Sequence, residues 1–120
     1  MEYVHSFDER GRLVIPVAFR RGKEVILIKG PDRCIRVYFP REWEGFHFFT
    51  NHKTRRLKRF IFSSEPLKKK LDNGRRISIP DDLRKYASLT PGKKVIIVKV
   101  NNYLEIWNEE SRRDRPRERA

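Results

Sequence analysis

GRLVIP at residues 11–16 and RRISIP at residues 75–80 are nearly the same phrase, and both occur in a chain of 120 residues. Each phrase follows an aspartate at the same distance, Asp8 or Asp72, so the two copies align at a constant offset of 64 residues. In both copies an arginine leads into apolar residues, and the run stops at a proline. This pattern is typical of a short strand that ends at the proline.

The correspondence continues farther along the chain. After a small change in spacing, VILIK at 25–29 resembles VIIVK at 95–99, and IRVY at 35–38 resembles LEIW at 104–107. A supersecondary unit that occurs twice in one chain indicates a tandem repeat. We therefore predict two copies of one structural unit.

Local signals give both units the same plan of strand, short helix and hairpin. The stretches 8–11 and 72–74 have turn chemistry. Proline suits the first position of a helix, where its missing N–H costs nothing, so Pro16 and Pro80 should open helices. The hairpins should turn at residues 30–33 and at Asn101-Asn102.

A single unit of about 45 residues is too small to bury a stable core alone, so the two units should share one. The predicted fold is mainly β with short helices, an α+β fold in which two repeats form one pseudo-dimeric barrel. Leu57, Phe60 and Ile61 share one face of a basic helix between the repeats. The chain thus divides into a first repeat at 1–50, a basic linker helix at 51–68, a second repeat at 69–110 and a charged disordered tail at 111–120.

Charge is the strongest signal in the composition. The chain has 29 Lys and Arg against 16 Asp and Glu, a formal net charge of +13 at pH 7. Because self-repulsion opposes compaction, this excess indicates a polyanionic partner, first nucleic acid and second an anionic membrane. The start of the chain lacks the features of a signal peptide, and no apolar run reaches the roughly 18 residues that a membrane span needs. We expect a cytoplasmic protein with no membrane partner.

Catalytic and metal-binding constellations are missing from the sequence. Cys34 is the one cysteine, and no Cys/His spacing resembles a metal site. There is no glycine-rich phosphate loop and no nucleophile with a base nearby in sequence, so we expect neither an enzyme nor a cofactor. Trp43 and Trp107 could stack on bases, but their places at strand ends favour packing.

Four stretches resemble the MraZ family: DERGRLVIPVAFR at 8–20, DRCIRVYFPREWEGF at 32–46, LDNGRRISIPDDLRKYA at 71–87 and YLEIW at 103–107. That family belongs to the AbrB/SpoVT superfamily of swapped-hairpin DNA-binding domains. The similarity runs from about Tyr3 to Glu110. Two copies in one chain, with a Trp-Glu pair after the first, are specific to MraZ within the superfamily.

The resemblance implies tandem AbrB-like swapped-hairpin repeats and a bacterial transcriptional regulator. Members bind short direct repeats in the promoter of the division and cell-wall gene cluster, commonly as repressors, and they assemble into rings. The implied partners of this chain are double-stranded promoter DNA and further copies of itself. The implied location is the cytoplasm, in association with the nucleoid.

The family's motif is Asp-x-x-Gly-Arg followed by a strand and a proline, and its arginines face DNA. In the first half it falls on Asp8, Gly11 and Arg12. A guanidinium can bind a guanine edge or a phosphate bidentately, and a carboxylate four residues earlier can hold it. We predict Arg12 as DNA-binding, with Asp8 and Gly11 in positioning roles. Arg10, in the same turn, is either a phosphate contact or a solvated surface residue.

The second half departs from this motif. Asp72 and Arg76 keep their places, but Arg75 stands at the glycine position and Gly74 comes one residue early. Either the second turn has a different geometry or its contact with DNA is weaker. Arg76 and Arg75 complete the predicted DNA-binding set, with Asp72 holding Arg76 and Arg75 as the approximate partner of Arg10.

A second function fits the same charge. A structural RNA- or ribosome-associated basic protein would use it without reading bases. Its affinity would follow salt steeply and would ignore nucleotide sequence. Competition by unrelated RNA distinguishes this alternative from a sequence-specific regulator.

Overall fold

The repeated apolar runs form strands in the computed structural model, which describes residues 2–16, 22–44, 66–101 and 103–113. The first half contains β1 (Glu2–Ser6), β2 (Arg12–Val14), β3 (Glu24–Lys29) and β4 (Ile35–Tyr38). The second half contains β5 (Leu67–Lys70), β6 (Arg76–Ser78), α1 (Asp81–Ala87), β7 (Lys94–Val100), β8 (Tyr103–Asn108) and α2 (Glu109–Arg113). A 3₁₀ turn at Pro31–Arg33 joins β3 to β4, and residues 40–44 are helical. The prediction of a mainly β fold with short helices is confirmed.

The two repeated phrases lie side by side and form a two-stranded ribbon of β2 and β6. The strands are antiparallel, and Leu13 stands directly opposite Ile77. Ile15 N–H donates to the carbonyl of Arg75 at 3.1 Å, and Ile79 N–H donates to the carbonyl of Gly11 at 2.9 Å. Because these bonds are equivalent in the two halves, an approximate twofold axis passes through the Leu13–Ile77 pair.

The other six strands form one antiparallel sheet in the order β1-β7-β8-β4-β3-β5. Strand β1 of the first half pairs with β7 of the second, and β5 of the second half pairs with β3 of the first. The first strand of each half therefore extends the hairpin of the other half, which interleaves the repeats.

The predicted barrel is not closed among the described residues. The three-residue strands β2 and β6 pair with each other and form a separate ribbon, while the larger sheet stays open. The ribbon lies beside both edges of the sheet, since β2 contacts β1 and β6 contacts β5, but among the described residues no strand pairing joins it to the sheet. The shared core predicted from the size of one repeat is nevertheless present.

The core lies between the sheet and the ribbon. Leu13 and Ile77 enter it from the ribbon, and Leu83 and Ala87 enter it from α1. The sheet contributes alternate residues of its central strands, namely Val25, Leu27, Ile35, Val37, Val95, Ile97, Leu104 and Ile106. Among the described residues, both halves supply side chains to this largest cluster, so they share it.

The predicted end of the linker helix differs from the structure. Leu67 and Lys68, the end of the predicted linker helix, belong to strand β5, because Leu67 pairs with Leu27 and Lys68 with Ile26. Residues 51–65 of that prediction lie outside the described residues. The helix expected after Pro16 also falls on residues that the structure does not describe.

The tail predicted to be disordered from residue 111 begins with a helix. Residues 109–113 form α2, because the Oδ1 of Asn108 accepts the N–H groups of Glu110 at 2.8 Å and Ser111 at 3.2 Å. A side-chain oxygen that accepts these N–H groups is a helix N-cap. Residues 114–120 lie outside the described part of the chain.

The Leu13–Ile77 contact predicts an unequal response to the same substitution at two leucines. Leu13→Ala removes a side chain that is 0% exposed, and we expect a loss of about 2–5 kcal/mol in the free energy of unfolding. Leu67→Ala, on the edge strand at 36% exposure, should cost under about 1 kcal/mol. Urea denaturation followed by circular dichroism measures both, and equal losses would contradict this account of the core.

Candidate nucleic-acid interface

One carboxylate builds the first loop, residues 8–12. The Oδ1 of Asp8 accepts the N–H groups of Arg10 at 2.9 Å and Arg12 at 2.7 Å. The main chain closes the loop, since Asp8 N–H donates to the carbonyl of Arg12 and Gly11 N–H donates to the carbonyl of Asp8, both at 3.0 Å. The Oδ2 of Asp8 accepts Nε of Arg12 at 2.9 Å. The residue that folds the turn therefore also orients the arginine.

The second loop, residues 72–76, repeats this arrangement bond by bond. The Oδ1 of Asp72 accepts the N–H groups of Gly74 at 2.8 Å and Arg76 at 2.9 Å, and its Oδ2 accepts Nε of Arg76 at 3.2 Å. Asp72 N–H donates to the carbonyl of Arg76 at 3.0 Å, and Arg75 N–H donates to the carbonyl of Asp72 at 2.9 Å. Of the two possibilities that the sequence left open, a different turn geometry is therefore wrong.

Arg75 is the structural counterpart of Gly11, and Gly74 is the counterpart of Arg10. Both Gly11 (φ 74°) and Arg75 (φ 61°) have left-handed backbone angles. This conformation costs a residue with a side chain about 1–2 kcal/mol. The approximate pairing of Arg75 with Arg10 was therefore wrong, because the loops exchange arginine and glycine between two adjacent positions.

Gly11 meets a second constraint that comes from the other half. A Cβ atom at Gly11 would lie 2.3 Å from Nη1 of Arg84, a residue of α1. Arg84 also pairs with Asp81 on its own helix. The glycine thus allows Arg84 to cover the first loop, and this contact with the pairing to Asp81 gives Arg84 a structural role.

Alternation in the ribbon directs its side chains to two faces. Leu13 and Ile77 face the core, and the residues on either side of them face away from it, namely Arg12 and Val14 on β2 and Arg76 and Ser78 on β6. Diagonal neighbours in such a pair lie about 7–8 Å apart, with their Cβ atoms somewhat closer. The twofold relation therefore sets the two predicted arginines near each other on one surface.

Four charges meet on this surface. Besides its own aspartate, Arg12 has Asp72 as a neighbour, with Nη1 3.7 Å from Oδ2. The side chains of Arg12 and Arg76 are 24% and 35% exposed. Their Nε atoms contact the aspartates, and within the described residues no hydrogen bond occupies their terminal Nη groups. Each guanidinium is thus held at Nε by its own aspartate, Asp72 also lies near Nη1 of Arg12, and both arginines keep Nη donors for an external acceptor.

Both aspartates are ionised at neutral pH. Burial by itself would raise the pKa of Asp8, but the hydrogen bonds from Arg12 and Arg10 outweigh it and the pKa is lowered. The main-chain hydrogen bond from Arg76 lowers the pKa of Asp72 and, with the charge of Arg76, prevails over burial. The arginines therefore face permanent counter-charges at physiological pH.

Other candidate residues have structural roles. Trp107 and Cys34 are 0% exposed, and Trp43 packs on Tyr38 with 5.4 Å between ring centroids. Among the residues the structure describes, no group of three His, Cys, Asp or Glu could hold a metal ion. None of the helices in those ranges has the length and apolar character to cross a membrane.

Sequence reasoning missed three features near the loops. Strand β5 places Lys68, Lys69 and Lys70 on an edge of the sheet, although a run of three lysines does not by itself indicate a strand. Charged residues on an edge strand hinder pairing with other chains. The approach of Arg84 to Gly11 had no signal in the sequence, because it joins α1 in the second half to the first loop in the first half. Val14 and Ser78 could have been found from strand alternation alone.

The left-handed backbone at Arg75 predicts a stabilising substitution. Arg75→Gly relieves a conformation that costs about 1–2 kcal/mol, against an entropic cost for glycine of about 0.5–1 kcal/mol. We expect a net gain of up to about 1.5 kcal/mol in the free energy of unfolding. Arg75→Ala is the matched control, since it removes the same side chain but keeps a Cβ. A gain from alanine as large as that from glycine would contradict the argument.

The lowered pKa values of Asp8 and Asp72 predict acid sensitivity. A carboxylate whose pKa is lower in the folded state stabilises the fold above its unfolded pKa, about 3.9, and this contribution disappears as pH falls through the folded value. The free energy of unfolding should therefore decrease below about pH 4. The double variant Asp8→Asn/Asp72→Asn should be less stable at pH 7 and less sensitive to acid. Parallel pH profiles of variant and parent would contradict the prediction.

Comparisons with known proteins extend over both loops. A family model described as "MraZ protein, putative antitoxin-like" matches residues 1–60 and 65–113. "Transcriptional regulator MraZ" of Alkaliphilus metalliredigens is 40% identical over 117 residues, which cover 91% of this chain and 80% of that protein. Proteins of the same name from Natranaerobius thermophilus and Dictyoglomus thermophilum are each 38% identical over 117 residues and are covered to 80% and 78%. On the extent of these matches, this chain belongs to the MraZ family.

Proposed function

We propose that the chain is a sequence-specific DNA-binding transcriptional regulator and not an enzyme. The observation that carries the proposal is the pair of aspartate-held arginines, Arg12 and Arg76, on the outward face of the ribbon. The formal net charge of +13 supports a polyanionic partner. The names of the relatives support regulation of transcription.

The ribbon has a shape that suits the major groove of DNA. This groove admits a two-stranded β-ribbon, and guanine presents O6 and N7 there as a pair of acceptors for arginine. In the proposed complex Arg12 and Arg76 each bind a guanine through their Nη groups. Val14 and Ser78 complete the same face, where an apolar side chain can contact a thymine methyl group and a hydroxyl can hydrogen-bond to a base.

Asp8 and Asp72 contribute to binding by fixing the arginines before DNA arrives. A flexible side chain loses rotamer freedom when it binds, and this loss weakens binding by roughly 0.5–1.5 kcal/mol for each side chain. The contacts between Nε and Oδ2 impose much of that order in the free protein. Lysine has no planar fork and could not be held at one edge while binding through another.

Arg10 and Arg75 are proposed as phosphate contacts. Arg10 in the first loop and Arg75 in the second belong to turns that flank the ribbon, where the DNA backbone would pass. Contacts to phosphate add affinity and set register without reading sequence. The two arginines occupy different positions of otherwise equivalent loops. The two halves of the chain would therefore contact the DNA backbone at positions that are not equivalent.

The target and the assembly follow from the family resemblance. We propose that the chain binds short direct repeats in the promoter of the division and cell-wall gene cluster, as a repressor in the cytoplasm at the nucleoid. A homo-oligomeric ring would bring several ribbons to successive repeats, and the summed contacts would give avidity. The division into a first repeat at 1–50, a linker, a second repeat and a tail also stays a proposal, in which residues 67 and 68 belong to the second repeat as part of β5 and residues 111–113 belong to α2.

A gel-shift titration tests the function. The labelled duplex is the DNA upstream of this protein's own gene, with a scrambled duplex and an unrelated RNA as competitors at physiological salt. A sequence-specific regulator retains the native duplex against both competitors. Equal competition by RNA would favour the alternative of a basic RNA- or ribosome-associated protein.

Arginine variants connect this result to the ribbon. Arg12→Lys keeps the charge but loses the fork, and we expect discrimination between native and scrambled DNA to fall by about 1–3 kcal/mol while weak binding persists. Arg75→Ala should weaken binding to both duplexes alike. The salt dependence of the affinity should fall by the amount expected for about one phosphate contact. Arg113→Ala is the control, because Arg113 lies on α2 with its side chain 69% exposed. Undiminished discrimination by Arg12→Lys would contradict the role of the ribbon.

A further inference from the structure

A charged pair lies at the centre of the six-stranded sheet, where the two hairpins meet. Arg36 on β4 stands directly opposite Glu105 on β8. The Nε of Arg36 lies 3.7 Å from Oε2 of Glu105, and the side chains are only 15% and 5% exposed. We call these two residues the axial pair. Desolvating two charges can cost as much as their attraction returns, so a buried pair is weak evidence of stabilisation.

The surroundings hold both charges but do not satisfy them fully. Nη1 of Arg36 donates to the hydroxyl of Tyr38 at 3.4 Å, and the guanidinium carbon lies 4.7 Å from the ring centroid of Tyr103. Oε1 of Glu105 accepts Nε1 of Trp107 at 3.1 Å. The Nε of Arg36 is buried and has no hydrogen-bond partner within the described residues. The two charges are held in place although one buried donor, Nε of Arg36, makes no hydrogen bond within the described residues. This incomplete hydrogen bonding points to a role other than stability.

The two members of the axial pair occupy the same position in the two repeats. Arg36 is the second residue of IRVY, and Glu105 is the second residue of the matching LEIW. The register on either side is symmetrical, with Ile35 opposite Ile106 and Val37 opposite Leu104. An approximate twofold axis therefore passes between Arg36 and Glu105, and two identical halves meeting at this axis would place one residue opposite its own copy.

We propose that the axial pair selects the partner of each half. The β4 edge of a first half accepts the β8 edge of a second half of this chain, where opposite charges meet. Pairing of two first halves is disfavoured, because Arg36 would stand opposite Arg36. Pairing of two second halves is disfavoured for the same reason, because Glu105 would stand opposite Glu105. Like charges directly opposite in a strand pair are destabilising, and burial increases their repulsion. The apolar neighbours are similar in both halves, so the charges supply the discrimination.

Charge reversal in single chains is the first part of the test. Arg36→Glu sets Glu against Glu, and Glu105→Arg sets Arg against Arg. Each should reduce the folding equilibrium constant about 100-fold or more, as expected when a buried charge loses its partner. The variant Arg36→Glu/Glu105→Arg restores opposite charges and should recover most of the loss. Lys94→Glu, a reversal at an exposed position of β7, is the control and should have little effect.

The second part of the test mixes the two single variants. This experiment remains informative even if neither variant folds alone. When equal amounts of R36E and E105R chains are unfolded together and refolded, exchange of halves between chains gives opposite charges at both axes. The mixture should unfold at a higher urea concentration than either variant refolded separately. Oligomers that form without exchange keep the like charges and show no gain. Recovery in neither the mixture nor the double variant, or single variants as stable as the parent, would overturn the proposal.

Discussion

The pairing of β2 with β6 is the constraint on which the rest of the structure depends. It buries Leu13 against Ile77, and it sets the two aspartate loops at opposite ends of one short ribbon. The loops in turn supply the carbonyl groups that bind Ile15 and Ile79, so each half completes the hydrogen bonding of the other. Without the pairing, neither half has a full core, and the two arginines have no common surface.

The sequence predicted the local parts of this arrangement better than its long-range parts. Local signals were sufficient to predict two equivalent strands, the two hairpins and the Asp8–Arg12 relation, because each depends on neighbours in the chain. The exchange of β1 and β5 between the halves was not predicted, because it pairs segments that are distant in the chain. In addition, the lysine-rich β5 has little intrinsic preference for a strand. Its strand forms because β3 offers an edge to pair with.

The second loop shows why a motif and its geometry can disagree. Gly74 counts as displaced only if glycine is the residue that makes the turn. The carboxylate of Asp72 makes the turn through three hydrogen bonds, and these hold Arg75 in a left-handed conformation that would ordinarily favour glycine. Two halves in one chain can differ at such positions, as they also do at Arg36 and Glu105, whereas two identical subunits cannot.

Methylation interference on the DNA upstream of this protein's own gene tests the central claim most directly. Dimethyl sulfate methylates guanine N7 in the major groove and adenine N3 in the minor groove. If the ribbon enters the major groove, methylated guanines on opposite strands should block binding, and Arg12→Ala and Arg76→Ala should each remove the block at a different guanine. Interference confined to adenines, or a guanine pattern unchanged by both variants, would contradict the claim that the paired arginines read the DNA.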